Sequence, residues 1–307
     1  MKINKPLFWN RFNFITFIFL PFSFFTIFFN FLKSLNRKKN FTIKSICVGN
    51  LYVGGTGKTP LVIKINEILK KKYKTALIKK KYNDQKDEQR ILSKNGNLIC
   101  LKYRDIALKI AERKNYQLAI LDDGLQDKSI NYNISIVCFN SSELAGNGLV
   151  LPAGPLRERM KSILNYDVAF LNGEKENKNF QKYLKTLNPN ILIFRAKYKP
   201  RNLNSFKLHK NYLVFSGLGS HQEFEETLKK CNFKIREIIR FPDHYNYENS
   251  DIEKIKKLAT KKKLQIVTSE KDYNRLSAIN KKNIKYLKIE LKINDEKKFK
   301  NFLISNL

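Results

Sequence analysis

Residues 46–60 read ICVGNLYVGGTGKTP, and the fold turns on how this stretch is read. Ile46-Cys47-Val48 is the apolar end of a buried strand, and Thr59–Leu69 carries helical periodicity. Between them Gly54, Gly55 and Gly57 permit backbone angles that residues with a side chain resist. Such a turn points several N–H groups at one anion, beside the positive end of the helix that follows. In this reading Gly54, Gly55, Thr56 and Gly57 wrap phosphates with their backbone. Lys58 reaches the outer phosphates, and Thr59 offers its hydroxyl to magnesium. The strict phosphate-loop pattern places glycine five positions before Gly57, where this chain has Tyr52, so the match is partial. A plain structural turn between strand and helix is the alternative.

The segments downstream repeat the strand–helix rhythm. Thr75–Lys79, Leu98–Leu101, Leu118–Leu121 and Ile134–Phe139 read as strands, with helices over Thr59–Leu69 and Asp105–Lys114. This alternation predicts a phosphate-loop-like α/β fold, a mostly parallel sheet with helices on both faces, whose ligands sit at the carboxyl ends of the strands. Asp122 and Asp123 follow the third of these strands at once. An acid pair there suits a magnesium ion opposite Thr59, although acid pairs also serve simply as turn formers. Asp84–Arg90 (DQKDEQR) follows the first of these strands, Thr75–Lys79; Asp87 or Glu88 there is a candidate proton acceptor, against the plainer reading of a solvated charged loop. Residues 146–159 (GNGLVLPAGPLRER) combine two prolines, apolar residues and two arginines. The segment reads as a built loop whose Arg157 and Arg159 face an anionic group.

From about residue 203 a smaller α/β layer begins, with strands at Tyr212–Ser216, Ile235–Ile239 and Leu264–Thr268 and helices at Glu223–Lys230 and Asp251–Lys263. The expected organisation is a membrane-associated helical region over 1–38, a phosphate-loop α/β domain over 39–202 and a smaller α/β domain over 203–307 that closes a substrate cleft. Of the three histidines, His244 in FPDHYNY stands out, because a histidine beside a carboxylate is tuned near neutral pH. A plain turn is the competing reading of that segment.

Phe12–Leu32 contains no charged residue and is flanked by Arg11 and by Lys33, Arg37, Lys38 and Lys39. Asn13, Thr16, Ser23, Thr26 and Asn30 fall mostly on one side of a helical wheel, and Pro21 interrupts the middle. This pattern predicts helices lying in a membrane interface; a true span or a soluble packing helix are the alternatives. No small-residue cleavage site follows, so a removed signal peptide is not expected. The chain has 60 basic and 27 acidic residues and a formal net charge of +33, which favours an anionic membrane surface as a partner. Nucleic acid is not expected as a partner, since neither zinc-finger spacing nor an RNP-like aromatic run is present. No obligate protein partner is evident. The four cysteines form no CxxC pair and read as reduced residues of a cytoplasmic protein.

Taken in order, VGNLYVGGTGKTP, LDDGLQD, GNGLVLPAGPLRER, FPDHYNY and VTSEKD resemble the tetraacyldisaccharide 4'-kinases, the lipid A 4'-kinases of Gram-negative bacteria, over nearly the whole chain. The resemblance implies a peripheral inner-membrane enzyme on the cytoplasmic face, using ATP and Mg2+ to phosphorylate tetraacyldisaccharide 1-phosphate. It places the loop lysine and threonine on Lys58 and Thr59, and the acid pair on Asp122 and Asp123. The catalytic aspartate falls on Asp87, its partner histidine on His244, and a substrate-phosphate arginine on Arg104. The chain also departs from the family pattern. Lys80-Lys81-Tyr82-Asn83 stands where Arg-Gly-Tyr-Gly is usual, leaving Lys80 as the phosphate-facing charge. Gln89 replaces a proline, Asp127 a histidine and Ser269 a threonine. A membrane-bound nucleotide switch without lipid kinase activity is the rival reading.

Overall fold

The computed structural model describes residues 6–35, 37–82, 85–219, 221–243 and 245–307. In chain order the elements are α1 (Phe14–Ser34), β1 (Lys44–Gly49), α2 (Lys58–Leu69), β2 (Thr75–Lys80), α3 (Lys86–Asn95), β3 (Leu98–Leu101), α4 (Arg104–Arg113), β4 (Leu118–Asp122), β5 (Ile134–Asn140), β6 (Val168–Asn172), α5 (Lys178–Leu187) and β7 (Leu192–Pro200). They continue with β8 (Asn211–Ser216), α6 (His221–Lys230), β9 (Lys234–Arg240), α7 (Asn249–Lys261), β10 (Gln265–Ser269), α8 (Glu270–Arg275), β11 (Ile284–Leu287), β12 (Ile289–Ile293) and α9 (Glu296–Ser305). The chain divides into two compact units. The first holds residues 5–81, 92–197 and 291–307, and the second holds 82–91 and 198–290, besides residues 1–4.

The larger sheet runs β12-β7-β6-β5-β1-β4-β2-β3. From β3 to β7 its pairings are parallel. β4, β5 and β6 are buried along their whole length, as strands covered by helices on both faces must be. Strand order reverses at β1, whose neighbours are β4 on one side and β5 on the other. That reversal opens the crevice where ligands bind in such sheets, and the glycine-rich loop leaves β1 there. The last helix returns to this unit, where Phe299 packs edge-on against Phe170 and Phe194 with centroids 5.4 and 4.9 Å away.

The second unit holds a four-stranded parallel sheet in the order β11-β10-β8-β9. The two-residue period of β8 builds both its faces: Tyr212 and Val214 join Leu228 and Val267, while Leu213 and Phe215 join Ile252, Ile255 and Ile266.

α1 is one unbroken helix of 21 residues, with a mean hydropathy of 2.0 over its most apolar window. At about 1.5 Å per residue it is long enough to match a bilayer core. The expected interruption at Pro21 is absent. Proline removes one N–H···O bond, but Pro21 lies on the exposed side of the helix, and the docked side carries the element through. Asn13 and Thr16 close a reciprocal cap at its start, with the Asn13 side chain accepting the Thr16 N–H at 3.1 Å. Most of the polar stripe is turned toward the protein, with Thr16 and Ser23 buried. Ser23 Oγ donates to the Val150 carbonyl at 2.8 Å, and Asn30 Nδ2 donates to the Arg157 carbonyl at 2.7 Å. Just before the helix, Trp9 Nε1 donates to the Pro152 carbonyl at 3.0 Å. Phe14, Phe17, Phe24 and Phe25 on the other side are each more than half exposed.

Candidate active site

The glycine-rich loop is folded by Asn50, which is buried just past β1 and donates through its amide to the carbonyls of Tyr52 and Gly54. Gly57 caps α2 in the left-handed conformation, at φ 78°, a position that disfavours any side chain. Pro60 lies in the first helical turn, where an N–H has no partner within the helix to lose. Tyr52, the departure from the strict pattern, is fully buried in the core of this unit, so its ring points away from the phosphate side of the loop. Residues 51–53 lie against the 146–159 segment: the Arg157 N–H donates to the Leu51 carbonyl at 2.6 Å and the Val53 N–H to the Pro155 carbonyl at 2.9 Å. The loop read as a built one is therefore both the seat of α1 and the outer support of the phosphate loop.

The adjacent aspartates take different partners. Asp122 ends β4 with its side chain inside. Its Oδ2 accepts the Thr59 hydroxyl at 3.0 Å and the Lys79 ammonium at 2.8 Å, while its buried Oδ1 has no hydrogen-bond partner. Asp123 sits in the left-handed region at φ 64° and turns outward to Arg157 at 3.1 Å and Lys58 at 3.8 Å. Burial alone would raise the Asp123 carboxyl; Lys58, Arg157, Lys79 and Arg104 outweigh it and hold it below its ordinary value. Gly124 follows under steric necessity, since a Cβ there would lie 2.8 Å from Cys47 Sγ. Arg104, at the start of α4, donates to the Asp123 carbonyl and stands 3.6 Å from Asp127. The Asp127 departure thus supplies a carboxylate for an arginine.

In the first unit the structure gathers Gly54–Thr59, Asp122, Asp123, Arg104 and Arg157. Arg159 is exposed, and Lys80, at the end of β2, is half-buried. Sequence reasoning missed Lys79, which is only 2 % exposed, and Glu158, a buried carboxylate held by Lys128 at 2.9 Å. Lys79 had one signal. Pairing TALIK with LAILD in parallel register sets Lys79 directly opposite Asp122.

In the second unit the segment read as a solvated charged loop is instead the first turns of α3. Asp87 is 3 % exposed and accepts from Arg275 Nη2 at 2.6 Å and Nε at 3.2 Å. Glu88 receives Lys271 Nζ at 2.6 Å. Burial alone would lower Lys271; Glu88 and Asp87 more than reverse this and leave it raised. Arg275 is itself fixed by Asp272 at 2.9 Å and the Gly217 carbonyl at 2.8 Å. Asp272 also accepts from Ser269, Tyr247 and the Gly217 N–H. The Ser-Glu-Lys-Asp segment therefore anchors the residues that hold Asp87 and Glu88. His244 lies outside the described residues. His221 opens α6, and its Nδ1 is 2.8 Å from Ser216 Oγ.

A parallel sheet with a glycine-rich loop at its switch point, a lysine and threonine opening the next helix, and an aspartate bonded to that threonine define a phosphate-loop nucleotide-dependent enzyme. Residues 15–97 and 87–307 match the family described as LpxK, tetraacyldisaccharide-1-P 4'-kinase, and the chain belongs to that family. It is 46 % identical over 308 residues to the tetraacyldisaccharide 4'-kinase of Pelagibacter ubique strain HTCC1062, covering 99 % of this chain and 98 % of that protein. To the Rickettsia canadensis strain McKiel protein of the same name it is 34 % identical over the full length of both. Among solved structures, the "apo" form of LpxK from Aquifex aeolicus in complex with ATP is similar in fold, with a TM-score of 0.71 at 23 % identity over 95 % of this chain and 99 % of that one.

Proposed function

We propose that the protein transfers the γ-phosphate of ATP to the 4'-hydroxyl of tetraacyldisaccharide 1-phosphate, forming lipid IVA at the cytoplasmic face of the inner membrane. The observation that carries this reading is the end-to-end correspondence with tetraacyldisaccharide 4'-kinases, in a chain whose Thr59, just after the glycine-rich loop, is hydrogen-bonded to Asp122, an arrangement that supports a nucleotide site there. ATP lies along Gly54–Thr59, with Lys58 on the outer phosphates. Lys58 balances charge that develops on the transferring group.

The residues present fit magnesium. Thr59 and Asp122 offer only oxygen donors, and Asp122 Oδ1 is buried without a partner. Among the described residues no group of three His, Cys, Asp or Glu side chains gathers as a cage. Most ligands would then come from phosphates and water, as is usual for this ion. Magnesium held there with ATP would neutralise phosphate charge. Asp123, turned to Lys58 and Arg157, steadies those cations and contributes to the metal site from the second position.

Asp87 accepts the proton of the attacking 4'-hydroxyl, with His244 as its partner by resemblance to the family. Arg104 and Arg157 are engaged by the acidic loop, which suits them to hold that loop in place. Lys80 and the exposed Arg159 are the better candidates for the substrate's 1-phosphate. α1 presents its phenylalanines to the acyl region, and the basic surface meets anionic headgroups.

The test is transfer of labelled phosphate from ATP to tetraacyldisaccharide 1-phosphate in detergent micelles. The expected product carries one added phosphate at the 4' position, and Lys58→Ala should reduce its rate by about a hundredfold or more. No product from folded, ATP-binding protein would overturn the reading.

A further inference from the structure

Lys79 is a lysine where a sheet interior usually has none. It sits on β2 with its side chain 2 % exposed, in register with Asp122 on β4, and its ammonium lies 2.8 Å from Asp122 Oδ2. The same oxygen accepts the Thr59 hydroxyl at 3.0 Å. A threonine that opens the helix after a phosphate loop and an aspartate at the end of a neighbouring strand are the groups that face a divalent ion when nucleotide binds. Here a protein cation already shares the aspartate oxygen that accepts the threonine hydroxyl.

The surrounding charge points the same way. Lys58, Lys79, Arg104 and Arg157 all act on Asp123, and Asp127 stands 3.6 Å from Arg104. Among these described side chains four cations face three carboxylates, Asp122, Asp123 and Asp127, so the positive charges outnumber the negative ones. Nucleotide phosphates would be drawn to such a site without a metal, and a bare divalent cation would be repelled from it. A metal arriving together with the phosphates has a place to bind, because Asp122 Oδ1 is buried and has no hydrogen-bond partner.

We propose that Lys79 is a built-in counter-cation of the nucleotide site: it fills Asp122 Oδ2 from the protein side, so that ATP is held without a divalent ion and the metal enters only with the nucleotide, through Oδ1. The proposal rests on the reading of residues 54–59 as an ATP site. Lys79 is a positioning residue in this scheme, since it acts through Asp122. A purely structural role, tying β2 to β4, would leave ion and nucleotide affinities untouched.

The experiment measures binding, not turnover. Calorimetry on the full chain gives the ATP dissociation constant in EDTA and in Mg2+, using wild type and Lys79→Met. Electron paramagnetic resonance gives Mn2+ binding to the nucleotide-free protein. Wild type is expected to bind ATP in EDTA within about tenfold of its affinity in Mg2+, and to bind Mn2+ weakly without nucleotide. Lys79→Met should weaken ATP binding in EDTA by roughly tenfold or more, the scale of one charge-assisted contact, and tighten nucleotide-free Mn2+ binding. ATP binding by wild type only when Mg2+ is present would overturn the proposal, and that result needs no variant to fold. Unchanged affinities in folded Lys79→Met would overturn it as well. Absence of ATP binding under both conditions would instead overturn the nucleotide-site reading beneath it.

Discussion

In the first unit Asp122 shares one oxygen between a threonine hydroxyl and a lysine, whereas in the second Asp87 is gripped by the fork of an arginine. Both carboxylates are almost wholly buried. Lysine is a compact point charge on a flexible stem, and its contact to Oδ2 leaves Asp122 Oδ1 unbonded. Arginine offers several donors in a rigid plane, so Arg275 spans Asp87, Asp272 and the Gly217 carbonyl at once. The difference separates two uses of a buried ion pair. One leaves room for a ligand to be added, and the other fixes a carboxylate in place.

The comparison can be broken most severely at Asp87. Asp87→Asn keeps the shape and removes the charge, and single-turnover transfer should slow by roughly 10²–10⁴-fold if this group takes the proton. Turnover at the wild-type rate would reduce Asp87 to a structural partner of Arg275. Next in size is Arg275→Met, which takes the guanidinium away from Asp87 and Asp272. Urea unfolding should report a loss of roughly 3–5 kcal/mol. Arg275→Lys should recover only part of that, because an ammonium lacks the fork; full recovery would make the two kinds of pair equivalent.

The smallest effects lie at the extremes of pH. Asp123 has a lowered carboxyl, so its contribution to the first unit is present above about pH 4 and is lost as pH falls through the lowered value. Lys271 is raised, so its contribution to the second unit is complete below about pH 10.4 and is lost as pH rises through the raised value. The single tryptophan, Trp9, belongs to the first unit. Its fluorescence should follow the acid change and stay steady through the alkaline one, while circular dichroism follows both. A Trp9 response in alkali alone would reverse the assignment.

Much of the first sheet was legible because its strands end in chemistry: β1 in glycines, β4 in an acid pair. Period and punctuation agree there, and the loop and Asp122 follow from them. β6 and β7 carry no such endings, and α9 reads as a lysine-rich stretch with two phenylalanines whose packing partners are far away in sequence. Lys79 lay hidden inside a lysine run; only strand register separates the fully buried one from its neighbours. The α3 segment misled for a related reason. Its charges look solvated, but the groups that neutralise them lie some 180 residues later, Arg275 for Asp87 and Lys271 for Glu88. Local pattern reports what a segment is made of, and long-range pairing decides whether its charges meet water. The polar stripe on α1 shows the same thing: the wheel located it correctly and left open what it would touch.

That stripe has a practical consequence. Ser23, Asn30 and Trp9 satisfy the carbonyls of Val150, Arg157 and Pro152, in the very segment whose backbone braces residues 51–53. A chain shortened to begin after α1 is therefore no soluble edition of the same enzyme. It would take three side-chain donors away from the bracing segment and leave residues 51–53 less firmly held, so lodging at the bilayer and catalysis would fail together. Genetic truncation would confound the address of the protein with its craft. Exchanging outward phenylalanines for polar residues, with the inward stripe left intact, is the cut that separates them.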